Sequence, residues 1–286
     1  MERTNWTEIE FILQGLSGYP RAEKFLFVMC LVMYLVILLG NGPLIILTLL
    51  DARLHTPMYF FLGNLSFLDI WYTSSSIPSM LIHFLSEKKT ISFTRCVIQM
   101  SVSYTMGSTK CVLLAVMAYD RYVAICNPLR YPIIMSKNAY VPMAVGSWFA
   151  GIVNSAVQTT FVVQLPFCRN NIINHFTCEI LAVMKLACAD ISGNEFILLV
   201  TTTLFLLTPL LLIIVSYTLI ILSIFKISSS EGRSKPSSTC SARLTVVITF
   251  CGTIFLTYMK PKSQETLNSD DLDATDKLIF IFYRVM

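Results

Sequence analysis

"CVIQMSVSYTMGSTKCVLLAVMAYDRYVAIC", residues 96–126, is the stretch on which the fold turns. It is a long apolar run that stops where Asp120 and Arg121 stand side by side, and Asn127-Pro128 and Arg130 follow. Read as a helix at 1.5 Å per residue, the distance from Cys96 to Arg121 is roughly 37 Å. That length crosses a hydrocarbon core of about 30 Å and reaches both interfaces. The stretch therefore predicts a membrane helix with Cys96 at the outer rim and Arg121 at the inner rim.

The rest of the chain agrees. Of 286 residues 55% are hydrophobic and 13% charged, and the mean hydropathy is +0.68. A soluble domain carries about 25% charged residues, so too little polar surface is left to cover a water-soluble body of this size. Apolar runs long enough to span occur at roughly 25–50, 58–82, 97–118, 141–163, 196–225 and 244–259. A seventh begins at Lys277, in "KLIFIFYRVM", and has scarcely started at Met286. No run shows the alternation, about 10 residues long, of a membrane β-barrel strand. The expected fold is an all-α transmembrane bundle over 25–286, with six full spans and an incomplete seventh.

Residues 1–24 are polar and acidic, with no short apolar core and no small-residue cleavage site, so the first span is expected to act as its own signal anchor. Asn5-Trp6-Thr7 is an acceptor for N-glycosylation, whereas Asn64-Leu65-Ser66 lies inside a span. With the N-terminus outside, the inner loops hold Arg53, Arg130, Lys137, Lys226, Arg233 and Lys235 against Asp51 and Glu231. Excess Lys and Arg marks the cytoplasmic side. The net charge of +4 is this asymmetry and does not suggest nucleic acid; the surrounding partner is membrane lipid. Cys96, Cys168, Cys178 and Cys188 fall on the oxidising outer side, where disulfides persist. Cys30, Cys111, Cys126, Cys240 and Cys251 read as small apolar packing residues.

Two features inside the spans carry more than packing. A lone arginine at Arg121 could snorkel to lipid headgroups. With Asp120 before it and Tyr122 after it, the guanidinium can instead rest in an ion pair until another conformation offers a better partner, the bistable arrangement a switch needs. Asp69 lies about 18 Å and Lys110 about 16 Å from the inner rim, counted along their helices from Pro57 and Arg121. A lone charge is costly at that depth, so Asp69 and Lys110 are expected to pair with each other. The competing reading is that Lys110 damages folding.

"MAYDRYVAICNPLRYPIIM" (117–135) resembles the end of helix three in odorant receptors, a branch of the rhodopsin-like G-protein-coupled receptors. "LHTPMYFFLGNLSFLDI" (54–70), Gly40-Asn41, Ser216-Tyr217 and "STCSARLTVV" (238–247) are similar to the family's motifs in helices two, one, five and six. The resemblance runs in order along essentially the whole chain. It implies a rhodopsin-like seven-helix receptor in the plasma membrane, multi-pass with its N-terminus extracellular. Such a receptor binds a small volatile odorant in the outer half among helices three, five and six. It also implies coupling to a heterotrimeric G protein of the stimulatory olfactory type that raises cyclic AMP, with no cofactor. Carried over residue by residue, it implies disulfides Cys96–Cys178 and Cys168–Cys188. Asp120, Arg121 and Tyr122 become the G-protein switch, with Tyr217 as activation partner.

Candidate pocket residues follow as Ser103, Tyr104, Gly107 and Ser108 on helix three, Thr201, Thr202 and Phe205 on helix five, and Ile254, Phe255 and Tyr258 on helix six. Apolar surface with a few hydroxyls suits a small volatile molecule, although the same residues also suit ordinary interhelical packing. Lys110 stands where the family usually carries a glutamate that shares a cation site with the aspartate. Pro236, Ser237, Arg243 and Pro43 depart from the family pattern as well. Its seventh helix carries an Asn-Pro-x-x-Tyr element, and this sequence stops before it. The alternative reading is therefore a truncated, non-signalling remnant retained in the endoplasmic reticulum. More distant still is a membrane transporter, which often shows repeated halves; no such repeat is visible. A membrane enzyme or a metal site would need a constellation such as His-Glu-x-x-His, and His55, His83 and His175 are scattered.

Overall fold

A computed structural model describes residues 10–15, 20–86, 89–167 and 171–225, with backbone only at 20–22 and 225. Its long helices are α1 (Pro20–Leu50), α2 (Pro57–Ser74), α3 (Ile77–Leu85), α4 (Phe93–Cys126), α6 (Lys137–Val163) and α8 (Ser192–Phe225). Short helices α5 (Tyr131–Ile134) and α7 (Ile180–Met184) lie in the connections. The bundle is helical, as the apolar runs predict.

Three described helices, over Glu23–Leu50, Lys137–Val163 and Ser192–Ile224, are long and apolar enough to cross a membrane. Their outward faces carry Leu39 and Leu49 on α1, Phe149 and Ile152 on α6, and Leu211 and Val215 on α8, all exposed. An exposed apolar surface of that extent fits a lipid solvent. Helix α4 is as long but holds Lys110, Asp120 and Arg121, and it sits at the centre, packed against α2, α6 and α8. Its polar residues Gln99, Ser103, Ser108, Thr109, Lys110 and Asp120 are buried within protein, where bonding partners can offset their desolvation.

The run at 58–82 is two helices rather than one. Pro78 occupies the first turn of α3; it has no N–H to donate, and its ring disfavours helical geometry just before it. Helix α2 therefore ends at Ser74, and Ser76 takes φ −126° before α3 starts. Helix α1 continues through Pro43, α6 through Pro142 and α8 through Pro209. The Asn64 side chain is committed inside the bundle, donating to the Phe60 carbonyl and accepting from Trp148 Nε1 at 3.1 Å.

At the disulfide end of the bundle a small sheet forms, in the order β2-β1-β3. Its central strand is β1 (Glu10–Leu13), antiparallel to β2 (Thr90–Ser92) and parallel to β3 (Ile172–Ile173). Alternation sets its orientation: Phe11 and Leu13 are buried while Glu10 and Ile12 are exposed. Phe11 packs edge-on to Phe167 at 6.2 Å and beside Phe93 at 6.1 Å.

Helices α4 and α6 meet along a seam of small residues. A Cβ at Gly151 would stand 2.0 Å from Thr109 Oγ1 and 2.9 Å from the Thr105 carbonyl oxygen. Along the same seam Asn154 Nδ2 donates to Ser108 Oγ at 3.0 Å, and Ser155 Oγ donates to the Ser101 carbonyl at 2.8 Å. Interhelical bonds of this kind contribute about 0.6 kcal/mol each in a bilayer. Gly151→Ala is expected to push the helices apart and cost about 1–3 kcal/mol by overpacking. A thermal melt of the detergent-solubilised protein should show the lowered midpoint.

Candidate functional site

A cavity of about 70 Å³ lies between α4 and α8 under the segment that precedes α7. Met100, Ser103, Tyr104, Gly107, Ser108 and Cys111 form the α4 wall, one to two turns apart, and Thr202, Phe205 and Leu206 form the α8 wall. Cys178, Glu179 and Ile180 close the top. Two hydroxyl pairs involve its lining: Tyr104 Oη and Thr202 Oγ1 are 3.2 Å apart between α4 and α8, and Ser103 Oγ lies 3.1 Å from Ser75 Oγ toward the α2–α3 break. The remaining lining is mostly apolar. Such a chamber takes a small, largely apolar molecule with one or two polar atoms.

The structure thus brings Ser103, Tyr104, Gly107, Ser108, Thr202 and Phe205 to one wall-to-wall cavity. Thr201 does not line it; its hydroxyl accepts from Gln158 Nε2 at 2.7 Å and fastens α8 to α6. Ile254, Phe255 and Tyr258 lie outside the described residues.

The cavity roof is tied down covalently. Cys96 in the first turn of α4 is bonded to Cys178, with Cα atoms 5.3 Å apart. Cys188 is also disulfide-bonded, while Cys168 and the acceptor Asn5 lie outside the described residues. Gln99, one turn below Cys96, was not legible as a site residue. Its Oε1 accepts from the Cys178 N–H at 3.0 Å and its Nε2 donates to the Ser75 carbonyl at 3.1 Å. A single buried amide therefore joins the roof to the break between α2 and α3.

Deeper in the bundle, Lys110 Nζ lies 2.7 Å from Asp69 Oδ1. Both side chains are largely withdrawn from solvent, at 9% and 24% exposure, so each charge depends on the other for much of its compensation.

At the far end of α4, Asp120 is 1% exposed. Arg121 Nε lies 3.9 Å from Asp120 Oδ2, and Tyr131 Oη donates to Asp120 Oδ1 at 2.9 Å. Tyr131 belongs to α5, outside the spans. Burial first, and then the neighbouring carboxylate, hold its hydroxyl well above the usual tyrosine range, so it stays a protonated donor. In the sequence its only signal is "NPLRYP", which places it ten residues after Arg121. Tyr122 and Tyr217 meet in the cluster of Leu114, Ala118, Ile213 and Ile220 that joins α4 to α8, where Tyr217 is buried.

Known proteins share this arrangement of sequence. The olfactory receptor family model matches residues 29–265. Human olfactory receptor 13C5 is 83% identical over 278 residues, covering 97% of this chain and 87% of that protein. Human olfactory receptor 13C2 is 76% identical with the same coverage. Human olfactory receptor 2S2 is 58% identical over 288 residues, covering 100% of this chain and 90% of the relative.

Proposed function

The chain belongs to the olfactory receptor family, multi-pass membrane receptors that bind odorants, couple to G proteins and catalyse no reaction, and from that premise we propose that its odorant sits in the α4–α8 cavity. The observation that carries this reading is the cavity between α4 and α8 where Ser103, Tyr104 and Thr202 hydroxyls interrupt a mostly apolar lining. Ile254, Phe255 and Tyr258, outside the described residues, are assigned to the same ligand set by the family resemblance alone. The ligand class is a small volatile molecule with one hydrogen-bonding group, met by Tyr104 and Thr202.

The signalling end is Asp120, Arg121 and Tyr122, with Tyr217 as the group that receives Arg121 on activation. The coupled protein is of the stimulatory olfactory type and raises cyclic AMP. The N-terminal segment 1–24, glycosylated at Asn5, faces outward from the plasma membrane, and 25–286 forms the receptor body. Disulfides Cys96–Cys178 and Cys168–Cys188 hold the outer loop over the cavity. Homology to receptors supports this reading over a transporter.

The test is a cyclic AMP reporter in cells whose surface staining is positive, challenged with a panel of volatile alcohols, ketones and esters. Tyr104→Phe should raise the half-maximal concentration of an agonist about tenfold, the loss expected for one hydrogen bond, with the maximum unchanged. A receptor present at the surface that answers no member of the panel would sink the reading. Tyr131→Phe removes a hydrogen bond to a charged group, worth about 1.5–3 kcal/mol. Agonist-free cyclic AMP should rise several-fold as Asp120 holds Arg121 less firmly.

A further inference from the structure

A second concavity, about 480 Å³, opens on the lipid-facing side of the bundle between α4, α6 and α8. It is several times larger than the internal cavity and shares only Phe205 with it. Small side chains create it: Ala115 on α4 and Ala150 on α6 stand where larger ones would fill the space. Val112, Val116, Leu204 and Leu212 supply apolar walls.

The lining is apolar apart from Thr208 partway along α8 and two hydroxyls at one end. Tyr119 on α4 and Ser216 on α8 line the end nearest Asp120 and Arg121, and neither hydroxyl is engaged by another described residue. From Ser216 to Leu204 the groove follows α8 for roughly 18 Å. Helix α4 has 34 residues, about 51 Å, so it overshoots a 30 Å hydrocarbon core by about 10 Å at each end. Tyr119 stands seven residues from the Cys126 end of α4, about 10 Å, which puts its hydroxyl close to the hydrocarbon boundary.

We propose that this groove binds a sterol from the surrounding bilayer, its hydroxyl between Tyr119 and Ser216 and its ring body along α8 toward Ala150 and Leu204. An acyl chain would fill the walls but has no donor or acceptor to offer the two hydroxyls. A phospholipid headgroup is too large and too strongly hydrated to follow them into the groove. A sterol is rigid, mostly apolar and polar at one end only, matching a groove whose hydroxyls are paired at one end, with Thr208 the single hydroxyl elsewhere in its lining. Phe205 then separates the sterol from the odorant by one side chain.

The full-length chain, expressed in mammalian membranes, is irradiated with a diazirine-bearing 3-hydroxysterol and the labelled peptides are mapped. Labelling should concentrate within 112–119, 143–150 and 204–216. A free 3-hydroxysterol should compete about tenfold better than its 3-methyl ether, the discrimination expected of one hydrogen bond. Ala150→Trp and Val116→Trp fill the groove from opposite helices. In whichever of them reaches the surface with the Cys96–Cys178 bridge intact, labelling should fall at least about fivefold, a loss near 1 kcal/mol. Tyr119→Phe with Ser216→Ala should remove the preference for the hydroxyl while sparing surface level. Labelling spread evenly over α1 and α8 would overturn the proposal, as would competition by fatty acid or methyl ether equal to that by the free sterol.

Discussion

Lys110→Met is expected to lower stability by about 2–4 kcal/mol, toward the lower part of the range for breaking a buried pair, because it leaves Asp69 charged, only partly open to solvent and without its nearest compensating charge. Lys110 Nζ and Asp69 Oδ1 are 2.7 Å apart in the middle of the bundle, where solvent offers little help. Asp69→Asn should cost a similar amount by the reverse logic. The double variant Asp69→Asn with Lys110→Met should regain most of the loss, since exchanging a whole buried pair for neutral groups is often close to neutral. Thermal melts of all four proteins in one detergent form the double-mutant cycle that separates pairing from packing. Lys110→Glu sharpens the contrast by setting two carboxylates face to face, so surface staining should collapse. If Lys110→Glu instead raises surface level and signalling, the lysine is a damaging residue and the pair contributes nothing.

Cys178→Ser is the other large effect. The bridge to Cys96 closes a loop between residues 82 apart in sequence, and in the chain-entropy account a loop of that length stabilises the fold by about 4–5 kcal/mol. More than entropy is at stake, because the Cys178 N–H bonds Gln99, which in turn holds the Ser75 carbonyl. Loss of the bridge should release the cavity roof and the α2–α3 break together. Surface level should fall by an order of magnitude or more, and residual receptor should lose agonist response. Cys96→Ser should match it, and the double serine variant should be no worse than either single one. A double variant much worse than both would mean each cysteine has a separate role. Gln99→Ala should give a milder form of the same defect, with the covalent tie still in place.

How far the sequence could be read depended on the range of the interaction. Apolar runs long enough to cross a bilayer are local, so the spans at 25–50, 141–163 and 196–225 correspond closely to α1, α6 and α8. The depth of Lys110 and Asp69 follows from counting residues along two helices, and their contact from the cost of leaving either charge alone. The break at Ser75–Ser76 was not read, although Pro78 announces it, because the apolar pattern continues across the gap. Gln99 and Tyr131 escaped for a different reason. An amide in a helix and a tyrosine in a loop are common, and only the folded partners, Cys178 and Asp120, give them a role. The sheet was hidden most completely: strands of two to four residues are too short to show a period, and their pairings join distant parts of the chain.

That sheet also imposes an order of events during synthesis. Ile12 pairs with Ile172 and Phe11 with Ile91, so the first strand made is the middle one and its second neighbour emerges some 160 residues later. At about 5–20 residues per second the N-terminal strand waits roughly 8–32 s for β3. Phe11 and Leu13 have no finished core to enter during that interval. The N-terminal strand can therefore pair with β2 early, but its sheet is completed only after α6 has been made.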